Sequence, residues 1–145
     1  MPLDDGSWIW ADGHGGKLRI ARIEPGQDVD PAGLGSLGEL RAQWKRTLDV
    51  APQTLGNVLA ASPDRVLALG LEGEWPFRTF AYGLELESGE VLFEAKIMEN
   101  GSMGVMAGYT GSVFVASLAG RPGLIAIDPE DGRVRWRHAG VPLPE

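Results

Sequence analysis

Residues 56–93 and 104–136 carry one pattern twice, and this repeat limits the fold more than any other feature of the chain. VLAA (58–61) is answered by VMAG (105–108), and RVLALG (65–70) by SVFVAS (112–117) about 47 residues later. AYGLE (81–85) is answered by LIAID (124–128), and SGEVLF (88–93) by DGRVRW (131–136). Each copy holds four short apolar or alternating runs parted by Gly, Asp, Asn or Ser, and neither contains a convincing helix. That pattern predicts a four-stranded antiparallel meander. The 21 glycines, about twice the ordinary share, punctuate the chain instead of pooling in a linker.

An earlier unit matches less well. SWIWAD (7–12) resembles the second run, KLRIARIEP (17–25) the third, and ELRAQW (39–44) the fourth. Residues 26–38 are then an insertion rich in Gly, Asp and Pro. A rival reading makes 34–48 a helix, because Leu34, Leu37, Leu40, Trp44 and Leu48 recur at helical spacing. Gly35 and Gly38 would each cost about 1 kcal/mol inside such a helix. The alternation Leu40, Ala42, Trp44 fits a strand, and the repeat register favours it. The first unit therefore has three strands where its neighbours have four, and nothing upstream of Ser7 is expected to supply the fourth.

The last unit, SVFVASLAGRPGLIAIDPEDGRVRWRHAG, resembles the blade repeat of the quinoprotein (PQQ-type) β-propellers and their cofactor-free relatives. Ala126, Asp128, Gly132 and Trp136 follow the order of that family's Ala-x-Asp…Gly-x-x-x-Trp signature. Glu85, Gly89 and Phe93 keep it weakly in the second unit, and Glu24 with Trp44 in the first. The resemblance implies that the tryptophan docks between neighbouring blades and that the Asp and Gly shape the turn before it. It implies an all-β fold of antiparallel four-stranded blades: a partial propeller of about three, in one domain spanning 1–145. The units run over about 7–48, 55–97 and 103–140. It carries little about activity, since one blade type serves enzymes, scaffolds and binding proteins.

The residues themselves agree. Asp128 is suited to accept N–H bonds from the turn at 129–132, as short acidic side chains do in Asx turns. Pro129 fixes φ, Gly132 can take positive φ, and Trp136 offers a large flat apolar face. One blade cannot bury both its faces, so stability requires stacking. Closed propellers ordinarily have at least about four blades. The chain is accordingly expected to be a fragment of a larger propeller, an open stack, or half of a ring. In the ring, two copies would close about six blades, a partner strand completing each first unit.

Composition excludes several partners. With 20 Asp and Glu against 13 Lys and Arg, the formal charge is −7, which repels phosphate backbones and speaks against nucleic acid. A hydrophobic share of 43% suits a folded globular protein. There is no cysteine, hence no disulfide, thiol nucleophile or thiolate metal site. MPLDDGSWIW lacks the basic-then-apolar order of a signal peptide. No apolar run approaches the roughly 20 residues of a membrane-spanning helix. A soluble protein without membrane insertion is expected, its compartment open.

No chemical constellation emerges. His14 in DGHGG has only Asp12 nearby and suits a turn; His138 sits among arginines on the last run. Two distant histidines make a poor zinc set. Asp4, Asp5, Asp12, Asp28 and Asp30 lack the spacing of a calcium loop. GSMG (101–104) is not a nucleophile elbow, and no phosphate-binding loop occurs. The candidate binding surface is Trp8, Trp10, His14 and Trp75. Trp8 and Trp10 share one face of a strand, and Trp75 lies in EGEWPFR, the best loop candidate. The expectation is a non-catalytic repeat scaffold, without cofactor or metal, that binds a protein or itself. The alternatives are a fragment of a quinone-dependent dehydrogenase and a carbohydrate-binding module.

Overall fold

Short branched and aromatic runs, each closed by a glycine or acidic turn, form strands and no helix among the described residues. The computed structural model describes residues 1–14, 17–27, 40–49, 58–72, 78–98, 104–118 and 124–138. The strands of the first sheet are β1 (Trp8–His14), β2 (Lys17–Ile23) and β3 (Ala42–Asp49). The second holds β4 (Val58–Ala61), β5 (Arg65–Glu72), β6 (Arg78–Glu85) and β7 (Val91–Met98). The third holds β8 (Gly104–Thr110), β9 (Val113–Leu118), β10 (Leu124–Ile127) and β11 (Val134–His138). All three are antiparallel meanders with strands in chain order. The all-β, blade-like expectation holds, with one unit of the repeat per sheet. Residues 42–49 are strand, so the helical reading of 34–48 fails there; 28–39 lie outside the described residues.

The last two strands of every sheet share one irregularity. Arg22 faces Trp44 but Ile23 faces Ala42, passing over Gln43. Gly83 faces Phe93 but Leu84 faces Val91, passing over Leu92. Ala126 faces Trp136 but Ile127 faces Val134, passing over Arg135. A bulge at one place in three sheets makes Trp44, Phe93 and Trp136 structurally equivalent. Just beyond it, backbone bonds close each turn: Glu24 N–H to Arg41 O at 2.9 Å, Glu85 to Glu90 at 2.8 Å, Asp128 to Arg133 at 2.8 Å.

The inner strands correct the repeat register. Leu67 pairs with Gly83 and Val115 with Ala126, so 48 residues separate the equivalent positions rather than about 47. A one-residue slip exchanges the two faces of a strand. Phe114 therefore corresponds to Val66 and not to Leu67.

The sheets stack face to face. Ile9, Leu18, Ile20, Trp44 and Leu48 of the first sheet pack on Val66, Ala68, Tyr82 and Leu84 of the second. The opposite face of the second sheet, with Ala60, Leu67, Leu69, Ala81 and Ile97, packs on Phe114, Ala116, Ile125 and Ile127 of the third. The middle sheet is apolar on both sides, and among the described residues each outer sheet packs on it by one face.

The missing strand of the first sheet is partly replaced, contrary to expectation. Pro2 bridges Trp8, Ile9 N–H reaches Met1 O at 2.9 Å, and Leu3 N–H reaches Ser7 O at 2.8 Å. Three residues thus cover one end of the β1 edge. Among the described residues no strand pairs with the rest of it.

Candidate functional site

The two junctions between sheets are built alike, and each joins an aromatic ring to a turn glycine. Trp44, at the bulge of the first sheet, lies over Gly89 in the β6–β7 turn of the second. A Cβ at Gly89 would sit 2.4 Å from the indole, and its φ is +73°. The Trp44 Nε1–H donates to Leu86 O at 2.8 Å in the same turn. Two arginines flank it: Arg22 also donates to Leu86 O, at 2.9 Å, and Arg46 to Ser88 O, at 2.8 Å. At the second junction Phe93 lies over Gly132 of the third sheet, where a Cβ would come within 2.4 Å of its ring and φ is +76°. Phe93 also fills the space above Gly83, so its cross-strand partner has no side chain. Arg137 donates to Ile97 O at 2.9 Å, and Arg65 pairs with Glu130 at 3.3 Å across the same boundary.

The turn chemistry follows the residues. Asp128 Oδ1 accepts the Glu130 N–H at 2.8 Å, Gly132 N–H bonds Asp128 O at 2.9 Å, and Arg135 pairs with Asp128 Oδ2. The Glu130 amide, with Arg135 and Arg133 beside it, holds the Asp128 carboxyl below the usual range. In the second sheet Glu85 accepts from the Ser88 hydroxyl at 3.0 Å, which in turn accepts the Glu90 N–H at 3.1 Å. In the first, the Gln27 carboxamide closes the loop, donating to Arg41 O and accepting the Arg41 N–H at 2.6 Å.

Trp136 is the third member of this series, and it has no receiving turn among the described residues. It is 45% exposed, against 6% for Trp44. With it on the outward face of the third sheet stand Val115, Ala126 and Leu124, the last 39% exposed. A shallow, mostly apolar groove of about 340 Å³ runs over Gly108, Val115, Ser117 and Leu124. The outward face of the first sheet carries Trp8, Trp10, Ala21 and Ile23. Trp8 and Trp10 are half-buried, and Ala21 and Ile23 are fully buried. The Arg19 guanidinium lies 5.6 Å from the Trp10 ring centre and pairs with Asp12 at 2.5 Å.

The remaining candidates are not drawn together. The His14 backbone ends β1 opposite Lys17, and Trp75 lies outside the described residues. His138 is exposed on β11. No three His, Cys, Asp or Glu side chains converge as a metal set among the described residues.

One network escaped the sequence reading. Arg22, 7% exposed, donates to Ser7 Oγ at 3.3 Å, to Asp5 Oδ2 at 2.8 Å and to Leu86 O. It borders an open cleft of about 480 Å³ lined by Met1, Leu3, Asp5, Ser62 and Leu86. The guanidinium is satisfied by its own chain and is not free to bind an anionic ligand. The pairing is nonlocal, which is why spacing gave no signal of it.

Ser7, through its hydroxyl and its amide, and then Arg22, pull the Asp5 carboxyl down from 3.8 to about 2. A depressed folded value means that the unfolded chain takes up this proton first. The associated stability is present above 3.8 and fades as pH falls toward about 2. An NMR titration of the Asp5 carboxyl should give a midpoint near 2, and Ser7→Ala should move it back toward 3.8. A wild-type midpoint already at 3.8 would show that the network does not hold the carboxylate.

Compared with known proteins, the chain matches no protein-family model and no curated sequence.

Proposed function

We propose that this chain is a non-catalytic repeat scaffold of the β-propeller kind, acting by presenting sheet faces to protein partners. The observation that carries the reading is Trp136. The other two members of its series dock on a neighbouring sheet, whereas Trp136 stands 45% exposed beside Leu124 at the end of the stack. An exposed aromatic on the same sheet face as an apolar groove, here the one lined by Val115 and Leu124, suits the centre of a protein–protein contact. The two tryptophans of the first sheet support a sugar-binding reading less well, because Arg19 already covers one face of Trp10.

Photo-crosslinking from position 124, with the full chain expressed in cells, tests the reading. Crosslinks to protein, lost when Trp136→Glu is added, are the expected result. Absence of any protein crosslink from this face would overturn it.

A further inference from the structure

At both junctions inside the chain, the docking strand meets the receiving turn with two residues. One is the ring at the bulge, and the other lies two places on, on the same face of the strand. At the first junction Trp44 Nε1–H donates to Leu86 O and Arg46 to Ser88 O, each at 2.8 Å, and the indole lies over Gly89. At the second, Phe93 and Ala95 hold these two places, and both border the position that a Cβ would take at Gly132. The bulge register gives the third pair as Trp136 and His138. They face Ala126 and Leu124 as Phe93 and Ala95 face Gly83 and Ala81.

This third pair repeats the chemistry of the first. Trp136 carries an indole N–H and His138 an imidazole N–H, where Trp44 and Arg46 carry an indole and a guanidinium; Phe93 and Ala95 have no donor. Both side chains of the third pair are exposed, and neither has a hydrogen-bond partner among the described residues.

The two received turns are also alike. Each runs from an acidic residue to a left-handed glycine, Glu85 to Gly89 and Asp128 to Gly132. The glycine N–H bonds back to the acidic residue's carbonyl, at 2.8 and 2.9 Å. Further carboxylates follow in each, Glu87 in one and Glu130 with Asp131 in the other. β11 is the reverse: VRWRH holds two arginines, a histidine and no acid, in a chain of formal charge −7. Donor pattern and charge both complement an acidic turn that ends in glycine.

We infer that Trp136 and His138, with the groove at Leu124, form a site for a hairpin turn of another protein, acidic at its first position and left-handed glycine at its fifth. The two N–H groups take two of the turn's carbonyls, and the indole covers the glycine. This rests on the scaffold reading and names the partner's chemistry. Among the described residues the chain's own two turns of this kind are already covered by Trp44 and Phe93, so the partner is a different protein and not a second copy.

The probe is a backbone-cyclised hairpin peptide of residues 82–93, YGLELESGEVLF, titrated into the full chain carrying nitrogen-15 in its indoles. The Trp136 indole signal, identified as the one missing from Trp136→Phe, should shift and saturate while the Trp44 signal stays in place. By calorimetry, Trp136→Phe and His138→Ala should each weaken binding about five- to tenfold, one hydrogen bond apiece, with unchanged far-ultraviolet circular dichroism. The peptide with Gly89→Ala should not bind, because its Cβ would strike the indole as it would strike Trp44, at 2.4 Å. No Trp136 shift at millimolar peptide overturns the inference, as does equal binding by the Gly89→Ala peptide or by the His138→Ala chain. If the peptide fails while position 124 still crosslinks to a protein in cells, the turn site falls and the scaffold reading stands. If neither is seen, both fall.

Discussion

Gly132→Ala should destabilise the fold by about 2–5 kcal/mol, through a turn that lies against the Phe93 ring. Two independent costs combine. The residue sits at φ +76°, where a Cβ meets the following carbonyl and costs about 1–2 kcal/mol. The new Cβ would also lie 2.4 Å from the Phe93 ring and 2.9 Å from the Ala95 Cβ, contacts that require a rigid ring to move. Overpacking of that kind costs about 1–3 kcal/mol. Gly111→Ala is the internal comparison, for it has φ +64° but nothing within 4 Å of its Cβ. It should lose only the backbone part, about 1–2 kcal/mol. Urea unfolding of the two variants separates the terms. Equal losses would mean that Phe93 does not press on the turn.

This contrast also marks what was legible in the chain. Asp128 and Gly132 could be read from sequence because an Asx turn and a left-handed glycine are local devices. Their spacing survives in residues written side by side. The inner strands were harder. Val66, Leu67, Ala68 and Leu69 are all buried, because the middle sheet packs on both sides. A run that is apolar throughout carries no information about which residue faces which neighbour. The slip between Phe114 and Leu67 followed from that. Pro2 pairing with Trp8 was beyond reach for another reason, since three residues cannot show a period. The contacts of Arg22 with Asp5 and Leu86 span 17 and 64 residues, and only the stacked sheets bring them together.

The roles of the two equivalent tryptophans give the second large effect, and they should separate sharply. Trp44→Ala removes a side chain that is 6% exposed and spans the first junction, with an expected loss of about 3–5 kcal/mol. Leu86 O would keep its bond from Arg22, so little of the loss comes from a stranded acceptor. Trp44→Phe reproduces the residue that serves the second junction, and it should cost only about 1–2 kcal/mol for the indole hydrogen bond and some volume. Trp136→Ala should stay within about 1 kcal/mol of wild type because its ring is 45% exposed. A double-mutant cycle makes the assignment specific. Gly89→Ala alone suffers both the φ of +73° and the clash with Trp44, whereas in a Trp44→Ala background only the backbone strain remains. The two losses should therefore fall short of additive by about 1–3 kcal/mol. Strict additivity would place Trp44 and Gly89 in separate units, and the ring-on-turn junction would no longer explain how the sheets stack.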